Sequence, residues 1–101
     1  MFTVREQAIF KDKYFEVYIL DKKEITIQSK NTGHFWNISM FQGKIQVSHK
    51  HYINQTYHRE KWKVSNMMDV KKKIIEHDIF QMNNRKNIDR KFMNYLVKFY
   101  M

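Results

Sequence analysis

The sequence predicts an α+β fold, with an antiparallel β-sheet meander of four to six strands followed by two C-terminal α-helices packed on one face of the sheet. Apolar and polar residues alternate over most of residues 14–64, as they do in strands with one buried face. After Ser65 the apolar residues recur every three or four positions, as in amphipathic helices. With 101 residues, we expect one domain, strand-rich over 1–64 and helical over 65–101.

The predicted strands are rich in aromatic and β-branched residues and are separated by short polar turns, of which Gln42-Gly43 is the shortest. The segment 2–10 fits either a further strand or a short helix. The five predicted strands are Tyr14–Leu20, Glu24–Ser29, His34–Phe41, Lys44–His51 and Thr56–Val64.

Two helices are predicted from apolar stripes at helical spacing. Ser65 or Asn66 can cap the first, which should end near residues 82–87, and Asn87 can cap the second. The stripe of the first helix consists of Met67, Val70, Ile74 and Ile75, and that of the second consists of Ile88, Phe92, Tyr95, Leu96 and Phe99.

The composition sets limits on function. The chain has no cysteine and a formal net charge of +9, so disulfides and thiolate metal sites are excluded and a cytoplasmic location is expected. There is no apolar run long enough for a membrane span and no signal-peptide pattern at the start, so no membrane partner is expected. No cofactor is predicted.

The positive charge lies mainly in two blocks. Residues 44–63 contain five Lys or Arg and one acidic residue, and residues 81–101 contain the same numbers. Such blocks favour an anionic partner, and nucleic acid or a nucleoprotein is the commonest. The candidate nucleic-acid-binding residues are Lys44, Lys50, Tyr52, Tyr57, Arg59, Lys61, Lys63, Arg85, Lys86, Arg90 and Lys91.

The segment "SHKHYINQTYHREKWK" (48–63) carries three of the five histidines. If strands 44–51 and 56–64 pair so that the apolar face of one meets that of the other, Ile45 faces Trp62 and His49 faces His58. This register turns the histidines toward the covered side of the sheet and the cations and tyrosines toward solvent. Cations would then neutralise phosphates, and exposed rings would stack on unpaired bases.

Three interpretations of these histidines are open. In the first, they are structural groups at the end of the sheet. In the second, they are the general acid and base of a metal-independent ribonuclease that uses His49, His58 and Tyr57. The third is a metal site of His49, His51 and His58, with Glu60 as a carboxylate on the same face. The primary expectation is that the protein has no metal site. His34 is expected to be a turn residue, and His77 a structural residue at a helix end.

The sequence therefore favours a small, non-enzymatic nucleic-acid-binding module. A toxin-like ribonuclease is one alternative. The other is a protein-interaction module of a bacterial or mobile-element system, with a protein partner or a homodimer formed through the helix face or an open sheet edge.

Overall fold

The α+β architecture is confirmed. The computed structural model describes all 101 residues, and its five strands form one antiparallel sheet in the order β1-β2-β3-β4-β5. None of the helices is long and apolar enough to cross a membrane. In chain order the elements are α1 (Val4–Ala8), β1 (Phe15–Leu20), β2 (Glu24–Ser29), β3 (Phe35–Phe41), β4 (Lys44–Lys50), β5 (His58–Arg59), α2 (Met67–Met82) and α3 (Arg90–Tyr100).

The N-terminal segment, for which two structures were compatible with the sequence, forms the short helix α1. Thr3 caps it and forms a capping box with Glu6, in which each side chain accepts a hydrogen bond from the other residue's backbone N–H. Phe2 and Phe10 lie on either side of the helix and are both buried. They anchor this segment to the core.

The predicted register of β4 and β5 is confirmed, but the predicted length of β5 is wrong. Ser48 pairs with Arg59 and His49 pairs with His58, and one further bond joins the Glu60 N–H to the Val47 carbonyl at 2.8 Å. The expected strand Thr56–Val64 therefore shrinks to two paired residues. Beyond Glu60 the chain leaves the sheet edge, and the half-buried Trp62 packs against the core.

The core lies between one sheet face and α2. The first predicted helical stripe is confirmed, since all four of its residues are buried. They join Ile25, Ile27, Trp36, Ile38 and Val47 in one hydrophobic cluster. We call this side of the sheet the covered face and the other side the open face. Asn66 caps α2 by accepting a bond from the Asp69 N–H at 2.9 Å.

The predictions for α3 need correction. Its cap is Asp89, not Asn87. Met93 and Val97 are the buried residues of the helix, whereas Phe92 and Phe99 are 53% and 72% exposed. The helix packs against α2 and contributes Met93 and Val97 to the core, so it buries a narrow stripe and leaves an aromatic side in solvent.

Candidate histidine cluster and basic sheet face

All five histidines of the chain come together at one end of the covered face. His49 is in β4 and His58 in β5, while His77 reaches the same place from α2. His34 precedes β3, and His51 follows β4. We call these five residues, together with Glu60, the histidine cluster.

His49 is the centre of the cluster and is only 2% exposed. Its Nε2 lies 3.1 Å from Nδ1 of His34. Its Nδ1 lies 3.3 Å from Nε2 of His58 and 3.2 Å from Oε1 of Glu60. Each nitrogen of one buried ring therefore faces a different group of polar partners.

Strand pairing explains how most of these side chains meet. Trp36 and His58 are the two cross-strand partners of His49, so the indole of Trp36 and the imidazoles of His49 and His58 form one row across the covered face. The indole ring of Trp36 stacks on His49 with centroids 4.3 Å apart. His34 is held next to this row because its carbonyl accepts the Ser29 N–H at 2.9 Å, across the turn that contains Gly33.

The position of His77 depends on its neighbour Asp78. The Asp78 carboxylate is fully buried and accepts hydrogen bonds from the Tyr14 hydroxyl at 2.6 Å and the Thr32 hydroxyl at 3.0 Å. Burial raises the carboxyl pKa of Asp78, although these hydrogen bonds act in the opposite direction. Because the bonds fix the rotation of α2, the adjacent His77 ring is held against His34 and His49.

The inner histidines are uncharged at neutral pH. Burial lowers the pKa of His49 to about 3, with a further decrease from neighbouring histidines. The same two causes, with Arg85 nearby, lower the pKa values of His34 and His77 to about 4. Neutral imidazole keeps a lone pair on one ring nitrogen, which is the form that binds metals.

Two groups of three side chains bring ligand atoms within 4.8 Å of one another: His34, His49 and His77 form the first, and His49, His58 and Glu60 form the second. His77 also has a buried Nδ1 with no hydrogen-bond partner. A buried polar atom without a partner costs free energy, so this nitrogen is a notable exception in the molecule.

The sequence-predicted histidine sets are only partly brought together. His49 and His58 are in contact as predicted, but Tyr57 lies on the open face beside Lys50. His51 stacks on His34 with centroids 4.2 Å apart and planes 9° from parallel, and it belongs to neither group of three. The ribonuclease set is thus divided between two faces of the sheet.

Sequence reasoning missed His34 and His77, although signals for both were present. The two-residue turn Gln42-Gly43 pairs Phe35 with Lys50, so one further step sets His34 opposite His51. On α2, His77 lies seven positions after the buried Val70 and so shares its face of the helix. The expectations of a turn residue and a helix-end residue overlooked these relationships.

The open face is basic where β4 and β5 lie. Lys44, Lys50 and Arg59 point to this side by strand alternation, and no acidic residue of β4 or β5 joins them. The Lys50 ammonium lies 4.4 Å from the ring centroid of Tyr57 and 5.5 Å from that of Phe35. Tyr18 continues this row from β1, its ring centroid 5.9 Å from that of Phe35.

The other predicted nucleic-acid-binding residues are distributed differently. Tyr52 is exposed in the loop after β4, and the exposed Lys61 and Lys63 follow β5. The second basic block lies on the helical layer: Arg85 and Lys86 follow α2, and Arg90 and Lys91 begin α3. Arg90 is paired with Glu76 at 2.6 Å. The two predicted blocks therefore belong to different layers of the molecule.

No protein-family model, curated protein or solved structure matches this chain.

Proposed function

We propose that this protein is a non-enzymatic module that binds single-stranded nucleic acid, free or within a nucleoprotein, on the open face of its sheet. The observation that carries the proposal is the uninterrupted positive charge of β4 and β5 on that face. On these two strands Lys44, Lys50 and Arg59 lie along it, and the carboxylate of Glu24, which shares this face, belongs to β2, where it accepts a hydrogen bond from the Asn37 amide at 3.0 Å. We place this activity in the cytoplasm, in keeping with the cysteine-free composition.

Aromatic side chains among the cations support a single strand over a duplex. Tyr18, Phe41 and Tyr52 are each more than half exposed, and flat exposed rings stack on unpaired bases. A duplex hides its base faces and offers only phosphates and groove edges. The row of Tyr18, Phe35, Lys50 and Tyr57 provides a semi-rigid surface, because the Lys50 ammonium also donates to the Ile53 carbonyl at 3.0 Å.

The buried position of His49 favours binding over cleavage. A general acid or base must reach the phosphate or the 2′-hydroxyl of the substrate, and His49 is 2% exposed on the side away from the cations. Its pKa of about 3 is also far from the working pH of such a group. The geometry thus favours a module that holds a strand without cutting it.

The test is a fluorescence-anisotropy titration with labelled oligo-dT and oligo-U at about 50 mM and about 200 mM salt. Four phosphate contacts predict that log affinity falls with log salt at a slope of about −3. The double variant Lys44→Glu/Arg59→Glu, which reverses two exposed charges of β4 and β5 on this face, should abolish most of the binding. Lys72→Glu/Lys73→Glu is the matched control, because it makes the same charge change on exposed residues of α2.

Equal losses in the two double variants would mean that net charge alone attracts the oligonucleotide, and the proposed face would be rejected. Binding that does not change with salt would reject it as well. The wild-type protein should leave the same oligo-U uncut after incubation. Cleavage by the wild type that disappears in His58→Gln would instead favour the ribonuclease.

A further inference from the structure

We propose that His34, His49 and His77 bind one divalent transition-metal ion, zinc being the best match, and that Glu60 is the positioning residue that orients His49. Imidazole nitrogens are ligands for zinc and its neighbours in the transition series, and three of them leave a fourth tetrahedral position for water or another ligand. This site is separate from the proposed nucleic-acid surface, because it lies on the covered side of the sheet.

The spacing of the nitrogens suits a shared ion. With metal–nitrogen bonds of about 2.0–2.1 Å, two ligands in a tetrahedral site lie about 3.3 Å apart. His34 Nδ1 and His49 Nε2 are already 3.1 Å apart, and all three residues offer nitrogens within 4.8 Å of one another. Only small side-chain rotations would complete the triangle.

Glu60 selects the nitrogen of His49 that is available to a metal. A neutral imidazole donates from one nitrogen and accepts at the other. A carboxylate only accepts, so Glu60 Oε1, 3.2 Å from His49 Nδ1, favours the proton on Nδ1. The Nε2 lone pair then faces His34. A carboxylate behind a ligating histidine is the usual outer support of a zinc site.

The second group of three is a weaker candidate. A metal bound by His49, His58 and Glu60 would use Nδ1 of His49 and would displace the proton that Glu60 accepts. His58 is also 62% exposed, whereas the inner group is enclosed by Trp36 and α2. Ligation through Nδ1 of His77 would in addition give that buried nitrogen the partner it lacks.

The test uses untagged protein, since an affinity tag would add histidines. Zn²⁺ is titrated by calorimetry, and Co²⁺ by visible absorption, which reports coordination geometry. We expect one ion per chain, a tetrahedral-type Co²⁺ spectrum and a higher unfolding temperature with Zn²⁺ than with EDTA. His34→Gln and His77→Gln should each weaken binding by about tenfold or more.

His58→Gln is the matched control, because it removes an imidazole that also contacts His49 but lies outside the proposed ligand set. It should leave affinity nearly unchanged. Glu60→Gln should weaken binding about 10–100-fold and shift the Co²⁺ spectrum. Circular dichroism and unfolding temperature in EDTA identify any variant that fails to fold.

Three results would overturn the proposal. One is the absence of saturable Zn²⁺ binding by folded wild-type protein. Another is an equal, small effect of all the histidine variants, which would indicate scattered surface imidazoles. The third is a loss in His58→Gln that matches the loss in His34→Gln, which would assign the ion to the second group.

Discussion

Nε2 of His49 lies 3.1 Å from Nδ1 of His34, although the two residues are 15 positions apart in the chain. This contact follows from the β3–β4 register, in which Trp36 is the partner of His49. It lies on the covered face, whereas the neighbouring Lys50 points to the open face. Alternation along one strand thus separates the proposed metal ligands from the proposed nucleic-acid surface.

Acid should unfold this protein at a comparatively high pH. The pKa values of His34, His49 and His77, about 4, 3 and 4 when folded, lie below the ordinary 6.5 of an unfolded histidine. The unfolded chain therefore binds more protons than the folded one below pH 6.5. Stability is full above that pH and is lost as pH falls toward 4.

Urea unfolding at several pH values in EDTA measures this effect. Each of the three histidines contributes up to about 1.4 kcal/mol per pH unit. The buried Asp78, with its raised carboxyl pKa, has the opposite sign and reduces the effect at the acid end. His34→Gln should reduce the change of unfolding free energy with pH between pH 6 and 4. A stability that is constant over this range would contradict the assigned burial of the three rings.

The buried carboxylate of Asp78 should be essential for stability. Asp78→Ala leaves the Tyr14 and Thr32 hydroxyls without their acceptor, and we expect a loss of about 2–4 kcal/mol. Tyr14→Phe should cost less, about 1–2 kcal/mol, because Thr32 still donates to the carboxylate. Urea denaturation gives both values. A larger loss in Tyr14→Phe than in Asp78→Ala would mean that the carboxylate is not the centre of this network.

The neighbouring residues Phe92 and Met93 provide a test of how α3 packs. Met93 is 8% exposed and Phe92 is 53% exposed. Met93→Ala should destabilise the protein by about 2–3 kcal/mol, whereas Phe92→Ala should change stability by about 0.5 kcal/mol or less. A larger loss of unfolding free energy in Phe92→Ala than in Met93→Ala, measured by urea denaturation, would contradict this packing. It would mean that α3 buries the face that the sequence predicted.

The turn between β3 and β4 can be improved. Gln42 and Gly43 both have positive φ angles, 51° and 75°, and a side chain other than asparagine or aspartate is disfavoured in that conformation. Gln42→Asn should raise the unfolding free energy by about 0.5–1 kcal/mol. Gly43→Val should lower it by more than 1 kcal/mol, roughly the cost of left-handed backbone for a β-branched residue. Thermal unfolding of both variants measures these changes. A higher unfolding free energy in Gly43→Val than in the wild type would contradict the assigned turn.

The sheet could be predicted from the sequence because its signal is local. Alternation places Ile25, Ile27, Trp36 and Ile38 on one face, and short turns then fix the register. Matching the apolar faces of residues 44–51 and 56–64 gave the His49–His58 pairing correctly. The length of β5 could not be predicted in the same way. It depends on where the chain leaves the edge to reach α2, which is a tertiary constraint.

The buried face of α3 also depends on tertiary packing and could not be predicted from local sequence. The apolar residues of α3 are more numerous than the space beside α2 can cover, so periodicity alone did not identify Met93 and Val97 as the buried residues. For the histidine cluster, the hairpin histidines were predicted to meet. His34 and His77 enter it through the β3–β4 register and the rotation of α2, and that rotation depends on Asp78.

The separation of the two proposed surfaces is tested most directly by one ¹H–¹⁵N NMR experiment, in which the labelled protein is titrated first with Zn²⁺ and then with oligo-dT. We predict that zinc shifts the imidazole resonances of His34, His49 and His77, and that the oligonucleotide shifts the side-chain resonances of Lys50 and Arg59, which point to the other face, with little overlap. If both ligands moved the same resonances, or if the oligonucleotide moved those of α2 and α3, the account would be contradicted.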